Sequence, residues 1–214
     1  MSFLRSDFIS KFISMNSNDF HCLSLKHVHF DEHITDLVTY LKTEVTKIKT
    51  ISLEDCDIGD SSILNLIRDC RNIETLEELH LINMGLNKET KEIFRQLADH
   101  KNLKVLDLRN NRIIKTGEIA ALIRQNQTLQ QVNLIGNPIN DYEELKLLAK
   151  AMKHNISIFK LGFDIDLPAI TLKQKKEFTA EYLAKHGTTP PLWEFTSFKF
   201  KQLEIKEKVT SLHE

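Results

Sequence analysis

Four histidines fall close together near the start of the chain, His21, His27, His29 and His33. A His-x-His pair with a third ring nearby is a donor set that zinc accepts. Strand alternation works against it: if Leu23 and Leu25 turn inward, His27 falls just past a strand end, while His29 and His33 enter the following loop and helix. No Cys or carboxylate sits at a ligand spacing that completes the set, so solvated or hydrogen-bonded histidines are the expectation and no metal is assigned. Asp31-Glu32 reads as an acidic pair at a helix N-terminus. The cysteines Cys22, Cys56 and Cys70 are odd in number and irregularly spaced, which argues for reduced thiols in a reducing compartment. Cys22 is expected to face outward as an inert thiol. The glycines, Gly59, Gly85, Gly117, Gly136, Gly162 and Gly187, fall mostly in turns and form no phosphate loop. Neither catalytic residues nor a cofactor nor a small-molecule substrate is readable, and a protein that is not an enzyme is expected.

The elements that must position these groups come from a recurring apolar ladder. Its rungs are Phe20/Leu23/Leu25/Phe30, Ile48/Ile51/Leu53/Cys56/Ile58, Leu76/Leu79/Leu81/Met84/Leu86, Leu103/Leu106/Leu108/Asn111/Ile113 and Leu129/Val132/Leu134/Asn137/Ile139, with a partial sixth at Ile156/Phe159/Leu161. First members are 28, 28, 27, 26 and 27 residues apart. Within a rung the alternation predicts a short strand: Leu106 and Leu108 turn inward while Val105, Asp107 and Arg109 face out. Asn111 and Asn137 stand where the chain turns, and a carboxamide there can satisfy buried backbone groups. Cys56 is a smaller variant, Val28 and Met84 cannot make those bonds, and Asp164 is placed at the corresponding point of the last rung. Between rungs, Ile63/Leu66/Ile67, Ile93/Phe94/Leu97, Ile119/Leu122/Ile123 and Leu145/Leu148/Met152 each mark one side of a helix.

Strand-then-helix units of this length, with the template L-x-x-L-x-L-x-x-N/C-x-L, resemble the ribonuclease-inhibitor-like class of leucine-rich repeats over roughly residues 20 to 163. The resemblance implies an α/β, right-handed leucine-rich repeat solenoid, with parallel strands on the concave side, helices on the convex side and helical caps at both ends. The expected division is an N-terminal helical cap over 1–19, repeats over 20–164 (about five full plus one partial), and a C-terminal helical cap with an aromatic tail over 165–214.

Composition agrees with a folded, protein-binding chain. Of 214 residues, 41% are hydrophobic and 28% charged, and the formal charge is -1, so no basic field is available for nucleic acid. Charges break every long apolar stretch, so no membrane span is expected. Arg5, Asp7 and Lys11 interrupt any signal-peptide core, placing the mature start near Met1. In the first segment Leu4, Phe8 and Phe12, with Ile9 and Ile13, give a helix one apolar stripe. The last segment passes from Pro168 through a helical stretch with Phe178, Tyr182 and Leu183, breaks at Gly187-Thr-Thr-Pro-Pro191, and then gathers Trp193, Phe195, Phe198 and Phe200. These aromatics either cover the last repeat or form an exposed docking tail.

The binding surface is expected on the concave face, where outward strand residues of neighbouring repeats line up. These positions are Cys22, Ser24, Lys26; Thr50, Ser52, Glu54; Glu78, His80, Ile82; Val105, Asp107, Arg109; Gln131, Asn133, Ile135; and Ile158, Lys160, Gly162. Ile82 and Ile135 flank Arg109 as apolar anchors beside an acidic diagonal of Glu54, Glu78 and Asp107. Asp55, Asn83 and Asn110 extend the footprint from the strand ends.

Two further resemblances bear on the partner. Asn126-Gln-Thr-Leu129 through Asn155-Ile-Ser-Ile-Phe-Lys-Leu-Gly-Phe163, followed by Lys173-Gln-Lys-Lys176, is similar to the last repeats and closing helix of tropomodulin and leiomodin. That family caps or nucleates actin filaments, which implies an actin partner dependent on Lys173, Lys175 and Lys176, although no counterpart of its long N-terminal arm is found. The whole also resembles short leucine-rich repeat proteins that intracellular bacteria inject into host cells. The primary expectation is a non-enzymatic module that binds a host protein through its concave face by steric occlusion, cytoplasmic or delivered into a host cytosol by a dedicated secretion system. An actin-binding cytoskeletal regulator of tropomodulin type is the alternative, and an enzyme with an unrecognised site the second alternative.

Overall fold

A computed structural model of the chain describes residues 2–3, 21–30, 47–87, 90–139, 141–152 and 154–163. The element order is β1 (Ser2–Phe3), β2 (Cys22–Lys26), β3 (Val28–His29), β4 (Thr50–Glu54), α1 (Asp60–Cys70), β5 (Glu78–Ile82), α2 (Thr90–Leu97), β6 (Val105–Asp107), α3 (Gly117–Gln125), β7 (Gln131–Asn133), α4 (Tyr142–Met152) and β8 (Lys160–Gly162). Strands β2-β4-β5-β6-β7-β8 form one sheet in chain order, every pair parallel. Parallel neighbours need a crossover, and from β4 onward a helix supplies each one.

The inward residues of the rungs and the apolar stripes of the four described helices form a single buried cluster, from Leu23 to Phe163. Asn111 acts as the repeat template requires. Its Nδ2 donates to the carbonyls of Leu81 (2.7 Å) and Leu108 (2.9 Å), and its Oδ1 accepts from the N–H groups of Met84 (2.9 Å) and Leu86 (3.1 Å). Asn137 repeats the pattern, donating to Leu108 and Leu134 and accepting from Ile113 N–H. At Cys56 the thiol reaches the Leu25 and Glu54 carbonyls, at 3.5 and 3.4 Å, so a weaker donor closes that turn.

The last rung departs from the expected register. Lys160 pairs with Gln131, Leu161 with Val132 and Gly162 with Asn133. The inward set is therefore Ile158, Leu161 and Phe163, whereas Ile156 is 93% exposed and Phe159 49% exposed. The repeat from Leu129 to Ile158 is thus 29 residues long rather than 27. The extra length carries Asn155 into the cap position held one repeat earlier by Asn126.

Near the N-terminus, Ser2–Phe3 pair parallel with β3, ahead of the expected Leu4/Phe8/Phe12 helix, which lies outside the described residues. His29 belongs to β3 rather than to a loop, because its backbone is held by Phe3 on one side and bridged to Asp57 on the other. His33, Asp31, Glu32, Asp164, the Lys173–Lys176 segment and the tail residues Trp193, Phe195, Phe198 and Phe200 also lie outside the described residues.

Two arrangements between repeats had no sequence expectation. Thr116 donates its backbone N–H (2.7 Å) and hydroxyl (3.0 Å) to the Glu144 carboxylate, and its hydroxyl also reaches the Glu144 carbonyl (2.7 Å). Burial pushes the Glu144 carboxyl up, but these donors and Lys115 outweigh it and hold it below its ordinary range. His27, Asp55 and Asn83, which directly follow β2, β4 and β5, and Asn110, three residues past β6, take a positive φ of 52 to 58°, and Gly136, three residues past β7, continues the row at 77°.

Candidate functional face of the sheet

The outward strand positions form rows across the sheet. One row runs Ser24, Ser52, His80, Asp107, Asn133 and Gly162, and a second runs Cys22, Thr50, Glu78, Val105, Gln131 and Lys160. The third begins with Lys26, Glu54 and Ile82, beyond which β6 and β7 end.

At the centre stands a four-residue charge cluster on β5 and the end of β6. Asp107 faces outward yet is only 5% exposed, because its neighbours cover it. Arg109 folds back so that Nε lies 3.0 and 2.9 Å from the two carboxylate oxygens and Nη2 lies 2.8 Å from Oδ2. This fork geometry is the strong form of the contact. From the neighbouring strand, His80 Nδ1 approaches Asp107 Oδ2 at 3.5 Å, an ion-pair distance, while its Nε2 is 3.2 Å from Glu78 Oε2. The Asp107 contact and then Glu78 raise the His80 pKa against the opposing effect of burial. For Asp107 burial pulls upward, but hydrogen bonds from His80 and Arg109 outweigh it and hold the carboxyl low. Ser52 is the register partner of His80, whose two ring nitrogens lie against Glu78 and Asp107.

The other expected interface residues divide by burial. Lys26 and Glu54 meet at 2.7 Å with both side chains well exposed. Asn133 accepts the Ile135 N–H at 3.2 Å, and its Oδ1 lies 2.7 Å from where a Cβ on Gly162 would stand, so a small residue is needed there. Ile135 and Lys160 are half-buried. Ile82, expected as an exposed anchor, is 9% exposed and belongs to the buried set, so the apolar pair flanking Arg109 reduces to Ile135. Ile158 is likewise 6% exposed and leaves the outward set, because the register places it two residues before β8.

The early histidines are brought to carboxylates of the next repeat, which spacing along the chain did not reveal. His27 Nδ1 lies 2.6 Å from Asp55 Oδ2, His29 Nδ1 lies 2.7 Å from Asp57 Oδ2, and His21 Nδ1 donates to the Lys47 backbone carbonyl at 2.7 Å. Asn83 Nδ2 donates to the remaining Asp55 oxygen at 2.8 Å, so His27, Asp55 and Asn83 form a polar chain along the strand ends. A pocket of about 360 Å³ opens between these pairs, lined by His27, Val28, His29, Asp55, Cys56 and Asp57. Among the described residues no group of three or more ligating side chains is arranged to hold a metal ion. Cys22 is exposed, whereas Cys56 and Cys70 are buried, and burial pushes the Cys70 thiol up to about 12. Among the described residues no helix is long and apolar enough to cross a membrane.

Sequence reasoning missed the asparagine caps that close the ends of α2 and α3. Asn126 Nδ2 donates to the carbonyls of Leu97, Ala98 and His100, while Oδ1 accepts from Thr128 and Leu129 N–H. Asn155 does the same one repeat later, with Ile123 and Asn126 carbonyls and Ser157 and Ile158 N–H. The signal was the recurrence of Asn-x-Thr/Ser before a rung.

No protein family profile matches the chain. Among solved structures it is similar to the tropomodulin C-terminal domain from Caenorhabditis elegans, with a TM-score of 0.58 at 15% identity over 70% of this chain and 90% of that one. It is also similar to a chain described as leiomodin-1 actin-binding site 2, with a TM-score of 0.60 at 16% identity over 85% of this chain and 99% of that one. At these identities the likeness is one of fold.

Proposed function

We propose that this chain is a protein-binding scaffold with no chemistry of its own, and that actin is its partner. The observation that carries the reading is the extent of the fold likeness: nearly the whole of the leiomodin-1 unit, 99% of its length, is matched, and that unit is described as an actin-binding site. The reading as a bacterial protein injected into host cells rests on composition and general repeat character, whereas the actin reading has a matched fold over 85% of this chain. A preformed sheet face loses little conformational freedom on docking, which favours binding by a rigid scaffold over binding by a segment that must order.

The test is co-sedimentation with filamentous actin, together with a polymerisation time course started from monomeric actin. A saturable complex, or altered elongation at substoichiometric protein, supports the reading. Lack of any effect on either form of actin removes it. A second reading, in which another protein docks on the open face, is favoured by the His80, Asp107 and Arg109 cluster at its centre. The Asp107→Lys/Arg109→Glu double variant, compared with wild type in a lysate pull-down, addresses that reading: actin retained by both argues against docking at the cluster.

A further inference from the structure

Two tripeptides of the chain, Asn126-Gln127-Thr128 and Asn155-Ile156-Ser157, match Asn-x-Ser/Thr, the acceptor signal for N-glycosylation. In that transfer the Asn Nδ2 attacks C1 of an oligosaccharide carried on a lipid diphosphate. An N–C1 bond forms and the C1–O bond breaks, the diphosphate leaves with the electron pair, and one amide proton is lost to a base of the transferring enzyme. The acceptor nitrogen must therefore be reachable, and must give up one of its two hydrogens.

Neither nitrogen meets these conditions in the fold. Asn126 is 2% exposed and Asn155 4% exposed. Asn126 Nδ2 spreads its hydrogens over the Leu97, Ala98 and His100 carbonyls at 3.3, 3.3 and 3.0 Å. Asn155 Nδ2 donates to Ile123 at 2.6 Å and to the Asn126 carbonyl at 2.8 Å, so the second amide is seated on the backbone of the first. The hydroxyls of the signal are taken as well: Thr128 Oγ1 donates toward the His100 and Leu103 carbonyls, and Ser157 Oγ lies 3.0 Å from Asn155 Oδ1. One repeat before Asn126, His100 fills the corresponding place, its Nδ1 accepting the N–H groups of Asn102 (3.2 Å) and Leu103 (3.0 Å). Three successive repeats thus use this position as a backbone cap, and in two of them the cap reads as an acceptor signal.

We infer that both tripeptides accept an N-glycan only in the unfolded chain, and that a glycan on either one excludes the native fold. A sugar on Nδ2 would displace a hydrogen bond at the turn and require a bulky, hydrated chain where the structure packs backbone. A compartment that transfers such glycans to nascent chains is therefore hostile to this protein. The inference stands apart from the actin reading.

The test is cell-free translation of the full chain behind a cleavable signal peptide, in the presence of microsomes, with and without an inhibitor of oligosaccharide transfer. Glycoforms are identified by endoglycosidase sensitivity, and folding is read by limited proteolysis after detergent release. The expected result is glycan on both sites, loss of the protease-resistant repeat region in every glycoform, and recovery of that region when transfer is inhibited. Ser157→Ala, which deletes one signal and keeps its Asn cap, leaves a single glycan at Asn126 and the same loss of resistance. A glycoform as resistant as the unmodified chain, absence of glycan on the translocated chain, or equal sensitivity in both arms overturns the inference.

Discussion

Asn110 lies over Gly136, with its side-chain oxygen so close that a Cβ on Gly136 would overlap it. The same glycine carries a φ of 77°, so two independent demands, backbone conformation and close approach, fall on one residue. Gly136→Ala is expected to destabilise the chain by about 1–3 kcal/mol from backbone strain, with the overlap adding to it. Urea unfolding measures this. Asn110→Gly in the same chain should recover the overlap contribution and leave the backbone strain in place.

The corrected last rung makes an opposite prediction for neighbouring residues. Ile158→Ala removes a buried side chain and should cost about 2–5 kcal/mol, whereas Phe159→Ala, at a half-exposed position, should change stability by no more than about 0.5 kcal/mol. A larger loss for Phe159→Ala than for Ile158→Ala in thermal or urea unfolding would return the register to the one expected from spacing.

Stability should pass through a maximum in mildly acidic solution. Asp107 has a lowered pKa in the fold, so its contribution is present above its ordinary value of 3.8 and is lost as pH falls through the folded value. His80 has a raised pKa, so its contribution is fully present below 6.5 and is lost as pH rises through the folded value. Both are complete between these two values. His80→Gln should flatten the alkaline side of the urea midpoint against pH, and an NMR titration of the His80 ring should show the upward displacement directly.

Thiol accessibility follows from burial. Cys22 is exposed on the edge strand β2, while Cys56 and Cys70 are buried and their thiols are pushed up by desolvation. A native chain titrated with a thiol reagent should show one fast-reacting cysteine, rising to three on unfolding. Mass mapping that finds Cys70 modified in the native chain would contradict the packing of α1.

The rungs from Ile48 to Ile139 could be read from residue order because alternation within a strand follows from local backbone geometry. The sixth could not, since Ile156/Phe159/Leu161 and Ile158/Leu161/Phe163 are both apolar, and pairing of Lys160 with Gln131 separates them. The outward side of Asp107 and Arg109 was equally readable. That Arg109 would fold over Asp107, and that Ile82 would be covered, was not, because both depend on which side chains stand beside them.

Residue order alone settled a strand-and-helix repeat, its approximate length, and which side chains of most rungs enter the core, since each is a property of a few consecutive residues. Stacking of the repeats settled the final register, the His80–Asp107 and His27–Asp55 pairings, and the burial of Asn126 and Asn155. Those contacts join groups 26 to 32 residues apart in the chain, and their geometry exists only once one repeat has been laid against the next.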